Sequence, residues 1–96
     1  MTHEQVYRTV DVERRGYGRR YTWLPVDILT KEHFSINCAG SYVRPQMYDI
    51  RPGDIIRWRE GGQLIQALVA AVQHDGDTLD VQLDDATPLP ADTFYP

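Results

Sequence analysis

The stretch Ile50-Arg51-Pro52-Gly53-Asp54-Ile55-Ile56-Arg57-Trp58, followed by Gly61-Gly62, the run Gln63 to Gln73, Asp75-Gly76 and the segment Thr78 to Leu83, decides the fold of this chain. Pro52 presets φ for the second position of a turn, and Gly53 accepts the positive φ that a type II turn needs next. The β-prone residues Ile55 to Trp58 follow at once. Gly61-Gly62 reads as a two-residue hairpin loop. The run from Gln63 to Gln73 carries two patterns. Leu64, Leu68, Ala71 and Val72 match a helical stripe, and its alanines favour helix. Hairpin signals bracket it on both sides, Gly61-Gly62 before and Asp75-Gly76 after, and they favour a strand. Beyond the second turn, Leu79, Val81 and Leu83 alternate with Thr78, Asp80 and Gln82, the pattern of a strand with one buried face.

Upstream, Gln5 to Glu13 reads as a strand with Val6, Val10 and Val12 on one parity. Arg14 to Arg20 is polar, contains Gly16 and Gly18, and reads as an exposed hairpin turn. Tyr21 to Leu24 is β-prone, and Pro25 places an edge or a break there. Leu29 to Ser35 holds one short helical turn, with Thr30 as its cap over Lys31, Glu32 and His33. Ile36 to Arg44 reads as a bulged strand around Gly40, ended by Pro45. Residues 84–96, acidic and punctuated by Pro88, Pro90 and Pro96, read as an extended tail from which Leu89, Phe94 and Tyr95 dock on a core or a partner.

Five or six short strands joined by glycine-rich turns predict a mainly β fold, a small antiparallel barrel or sandwich with at most one helical turn. Residues 1–96 read as a single small domain. The expected core draws on Val6, Val10, Val12, Trp23, Ile28, Ile36, Val43, Ile56, Trp58, Leu68, Val72, Leu79, Val81 and Leu83. From Tyr48 to Leu83, the succession of a Pro-Gly-Asp turn, a strand, a Gly-Gly turn, a long apolar strand, Asp-Gly-Asp-Thr-Leu and a regular strand resembles SH3-like β-barrels. Such barrels occur in phage and prophage head–tail and tail proteins, so the resemblance implies a structural, phage-related role.

Bulk composition narrows the function classes. The chain has 96 residues, 42% hydrophobic and 25% charged, with a formal net charge of −4. These values exclude a fibrous repeat and full-length disorder. Cys38 is the one cysteine, so no intrachain disulfide forms and a reducing compartment is expected. The first twenty residues lack the apolar stretch of a signal peptide, and no run approaches the ~20 residues of a membrane span. The expected location is the cytoplasm or the interior of a virion-like assembly, without membrane contact.

No catalytic set is legible. Cys38 sits in a strand-like run and reads as a buried, inert thiol rather than a nucleophile. His3, His33 and His74 have no ligand spacing, and Asp75-Gly76-Asp77 lacks the ordered ligand series of a calcium loop, so neither metal nor cofactor is expected. Gly16-Tyr17-Gly18 lacks the third glycine of a phosphate loop. The chain therefore reads as a non-enzyme. All ten basic residues lie in residues 1–69, whereas residues 70–96 hold six aspartates and no Lys or Arg. The candidate contact residues are accordingly Arg14, Arg15, Tyr17, Arg19, Arg20 and Tyr21 on a basic loop, with Arg44 and Arg51 joining it in space, and Asp84, Asp85, Phe94 and Tyr95 on an acidic, aromatic tail. Opposite charges on one body suit assembly with protein subunits, either copies of itself or other chains. Four arginines with two tyrosines also suit phosphates and bases, so nucleic acid is the second partner class. The overall negative charge weighs against it.

Overall fold

The computed structural model describes residues 8–89. Seven strands form one antiparallel sheet: β1 (Arg8–Arg14), β2 (Gly18–Val26), β3 (Ile28–Leu29), β4 (His33–Asn37), β5 (Ile55–Glu60), β6 (Gln63–Asp75) and β7 (Thr78–Pro88). Their spatial order is β2-β1-β5-β6-β7-β4-β3. The two ends of this order, β2 and β3, are separated in the chain by Asp27 alone. One kinked segment therefore pairs with β1 through Val26↔Arg8 and with β4 through Ile28↔Ser35. The sheet curls into a barrel-like body because its edges are the same piece of chain. Asp27 fastens the kink: its N–H donates to the Ser35 carbonyl at 2.9 Å, and its carboxylate accepts the Asn37 N–H at 2.6 Å.

The turns follow from their residues. Asp54 N–H donates to the Arg51 carbonyl at 3.0 Å across Pro52 and Gly53, and Gly53 has φ +93°, as the type II geometry requires. Gly61 and Gly62 both have positive φ, the signature of the primed turn that matches strand twist. Gln63–Asp75 is a strand and not a helix, paired along its length with β5 and β7. Its second hairpin loop is Gly76-Asp77, one residue beyond the expected Asp75-Gly76, because Asp75 pairs with Thr78.

Three expectations for local structure are corrected. Thr30 does cap a turn, accepting the Glu32 and His33 N–H groups at 3.1 Å, but the turn joins β3 to β4 and no helix forms. Pairing with β7 holds Phe34 to Ile36 extended through Phe34↔Val81 and Ile36↔Leu79. The strand expected over Ile36 to Arg44 stops at Asn37, where the Asn37 side chain turns the backbone by accepting the Ala39 N–H. Pro45 then opens a 3-10 turn, Pro45–Met47. Finally, residues 84–88 belong to β7 and are not part of a tail.

The core is filled from inward-facing parities: Val10 and Val12 of β1, Phe34 and Ile36 of β4, Ile56 and Trp58 of β5, Ile65, Ala67 and Val69 of β6, and Leu79, Val81 and Leu83 of β7. An extra residue in β6 between Val69 and Ala71 flips its parity. Leu68, on the outward parity before the bulge, is half-buried, while Val72 after it packs partly against the core. Trp23, Ile28 and Val43, all expected inside, are exposed. Val6 lies outside the described residues. Burial raises the Cys38 thiol pKa above its ordinary value. The native protein is expected to react with a thiol reagent orders of magnitude more slowly than the denatured chain. Equal rates would show that Cys38 is open to solvent.

Candidate interaction surface

Sequence parity already places the basic loop. Val10, Val12 and Arg14 share one face of β1, so Arg14 points toward the barrel end rather than into solvent. Its guanidinium donates to both Asp54 carboxylate oxygens at 3.0 Å, to the Asp49 carboxylate at 3.1 and 3.2 Å and to the Asp49 carbonyl at 3.2 Å. Arg20 and Arg51 also donate to the Asp49 carboxylate. Tyr21 is half-buried, tilts against Tyr48 with ring centroids 6.2 Å apart, and accepts the Asp49 N–H at 2.8 Å. Arg14, Arg20 and Tyr21 thus clamp the segment before β5 onto the β1–β2 hairpin. Hydrogen bonds from Arg14, reinforced by Arg20, outweigh desolvation and hold Asp49 down at about 2, whereas its ordinary value is 3.8. Because the folded pKa is the lower one, the clamp contributes its full stability above about pH 4 and loses it as pH falls toward about 2. Urea midpoints measured across this window should decline for the wild type and decline less for Asp49→Asn. Equal slopes would remove Asp49 from the account.

The outward part of the loop is smaller than the sequence suggested. Arg15, Tyr17 and Arg19 are exposed, Tyr17 by 78%. Arg51 does join the clamp, but Arg44 does not, because it pairs with Asp77 on the β6–β7 turn. Asp84 and Asp85 are exposed at a bulge in β7, where Asp85 has φ +56°. Asp84 pairs with Leu68, which itself borders the shallow depression lined by Arg14, Arg15 and Arg51. Asp84 therefore stands across Leu68 from the arginines of that depression. Phe94 and Tyr95 lie outside the described residues.

Sequence reasoning missed the residue that stands out. Between Val10↔Leu24 and Val12↔Tyr21, β2 carries one extra residue, so Thr22 and Trp23 both oppose Asp11. Trp23 occupies the left-handed region at φ +54° and is 76% exposed. A bulky side chain in this region is a strained outlier. The Asp11 carboxylate holds it there by accepting the Trp23 N–H at 2.9 Å. Its sequence signal was available but equivocal: an aromatic residue in a strand, odd in parity beside Pro25. Trp23→Gly removes the strain and leaves little packing behind, so it should stabilise the fold by about 0.5–1 kcal/mol. A destabilised Trp23→Gly in urea melts would mean that the indole packs after all.

Trp23 lines a cleft of about 890 Å³ together with Arg8, Asp11, Arg19, Arg57, Trp58 and Glu60. Arg57 is ion-paired with Glu13 at 2.9 Å and donates to Gln66 at 2.9 Å. Among the described residues, no three His, Cys, Asp or Glu side chains come together as metal ligands, and no helix is long and apolar enough to cross a membrane. Comparison of the chain with protein-family models, curated proteins and solved structures gives no match.

Proposed function

We propose that this chain is a non-enzymatic protein-interaction and assembly module on an SH3-like barrel, a structural subunit of the phage or prophage head–tail or tail class. The observation that carries the reading is Trp23. The backbone accepts strain to hold a large apolar ring in solvent, beside arginines, and exposed Trp and Arg are the residues that anchor protein interfaces. The charged groups around Leu68 and Asp84 offer a polar surface of the kind that rims such contacts. The second reading, nucleic-acid binding, draws on the exposed Arg15, Tyr17 and Arg19 and on the same indole as a stacking platform. A photo-crosslinking amino acid at position 23, in cells that also express the neighbouring genes, separates the two. The expected product is a discrete protein adduct, either a second copy or another subunit. A nucleic-acid adduct would favour the second reading, and absence of any adduct would contradict both.

A further inference from the structure

The described chain ends on the wall of the cleft that Trp23 lines. Leu89, its last residue, donates its N–H to the Leu64 carbonyl at 2.8 Å, one step beyond the Ile65↔Pro88 pair. Leu64 and Leu89 are half-buried and line the cleft together with Leu29 and Trp58. β6 begins at Gln63, so a chain continuing past Leu89 runs out of partner at the Gly61-Gly62 turn, and Gly61 is itself part of the lining. The cleft therefore sets an apolar wall beside an indole that is 76% exposed and held on a strained backbone. Its volume of about 890 Å³ suits a short segment of chain rather than a folded partner.

We infer that residues 90–96 of the same chain close over this cleft and lay Phe94 or Tyr95 against the Trp23 indole, so that a partner reaches Trp23 only by displacing them. The inference rests on the interaction-module reading and adds a regulation of that site. The segment, Pro90-Ala91-Asp92-Thr93-Phe94-Tyr95-Pro96, lies outside the described residues. Its starting point selects it as the occupant. At ~3.5 Å per residue, its two aromatic residues stay within about 20 Å of Leu89 on the cleft wall. A tether that short holds them near Trp23 at an effective concentration in about the millimolar range, which a second copy reaches only in concentrated solution. The chemistry also fits. Aromatic rings pack offset or edge-to-face on an indole, and Asp92 brings a carboxylate to a wall that includes the exposed Arg19. A single ring contact is weak enough for a partner with a full interface to displace. A cleft closed in about half the molecules lowers the partner's affinity about twofold, and one closed in about nine-tenths lowers it about tenfold.

The test uses the full chain, isotope-labelled for NMR, beside a variant carrying both Phe94→Ser and Tyr95→Ser. Nuclear Overhauser cross-peaks are expected between the Trp23 indole and the ring protons of Phe94 or Tyr95. They should survive about tenfold dilution, because the contact is within one chain, and the indole resonance should shift in the variant. With the photo-crosslinking amino acid at position 23, in cells that also express the neighbouring genes, the variant should give at least about twofold more protein adduct than the unsubstituted chain. Four outcomes overturn the inference: no cross-peak to either ring, cross-peaks to Val6 or Tyr7 instead, cross-peaks that vanish on dilution, or a protein adduct that is unchanged or reduced in the variant. Absent cross-peaks together with a protein adduct leave the module reading standing and remove only the closure. Cross-peaks without a protein adduct from either chain leave the closure standing and remove the module reading.

Discussion

Phe34→Ala should cost about 3–5 kcal/mol, the usual range for truncating a fully buried aromatic side chain. Phe34 is the largest side chain with no exposure, and it sits at the junction that closes the sheet, pairing with Leu29 on one side and Val81 on the other. Its removal leaves a cavity between β3, β4 and β7 that the surrounding strands cannot collapse into without breaking the closure. For a domain whose total stability is about 5–15 kcal/mol, that loss moves the urea midpoint far down. Tyr42→Ala, at a side chain 98% exposed, is the control and should move it little. A loss below about 1 kcal/mol for Phe34→Ala would mean that the β3–β4 hairpin does not seal the core.

Asp54→Ala should be the most damaging polar substitution, with a loss of the same order as a deleted core side chain. Asp54 is buried, accepts both arms of the Arg14 fork, and accepts the Arg51 N–H at 2.9 Å, so it closes the turn that launches β5. Its own backbone ties the turn to β6, accepting the Val69 N–H at 2.9 Å. The substitution strips Arg14 of its most buried partner and the turn of its side-chain acceptor together. Asp54→Asn keeps an acceptor for Arg51 and should lose less. The loss on Asp54→Ala should persist at high salt, whereas Arg51→Ala, at an exposed side chain, should have a small and salt-screened effect. Asp54→Ala with wild-type stability would show that Asp49 alone suffices to hold Arg14.

The turns were the most legible part of the fold. Pro52-Gly53, Gly61-Gly62 and Gly76 need backbone geometries that few residues accept, so their positions fix where strands begin and end. Those turns resolved the conflict over Gln63 to Gln73, where side-chain periodicity alone favoured neither pattern. What escaped the sequence were the bulges. One extra residue in β6 turns Val72 toward the core, and one in β2 carries Trp23 outward. A bulge is set by pairing with a distant strand, so local pattern does not mark it. Phe34 was hidden for a related reason: Thr30 caps helical and hairpin turns through the same hydrogen bonds, and only pairing with β7 distinguishes them. Arg14 was legible and overlooked, since it continues the inward parity of Val10 and Val12. Charge drew it into the solvent patch, although its partners Asp49 and Asp54 lie 35 and 40 residues away.

Two kinds of residue stand out on the β1–β2 side of the barrel. Arg14, Arg20, Tyr21, Asp49 and Asp54 bind each other and hold the body together. Trp23 binds nothing through its ring among the described residues, and its backbone is held in an unfavourable region to keep it so. Strain kept at an exposed aromatic residue is the reason to place function there. Sedimentation of Trp23→Gly from cells expressing the chain with its neighbouring genes tests this most directly. The account predicts that the variant, folded and at least as stable as the wild type, sediments as the free chain, while the wild type sediments in a larger complex. A variant that travels in the same complex as the wild type would contradict it.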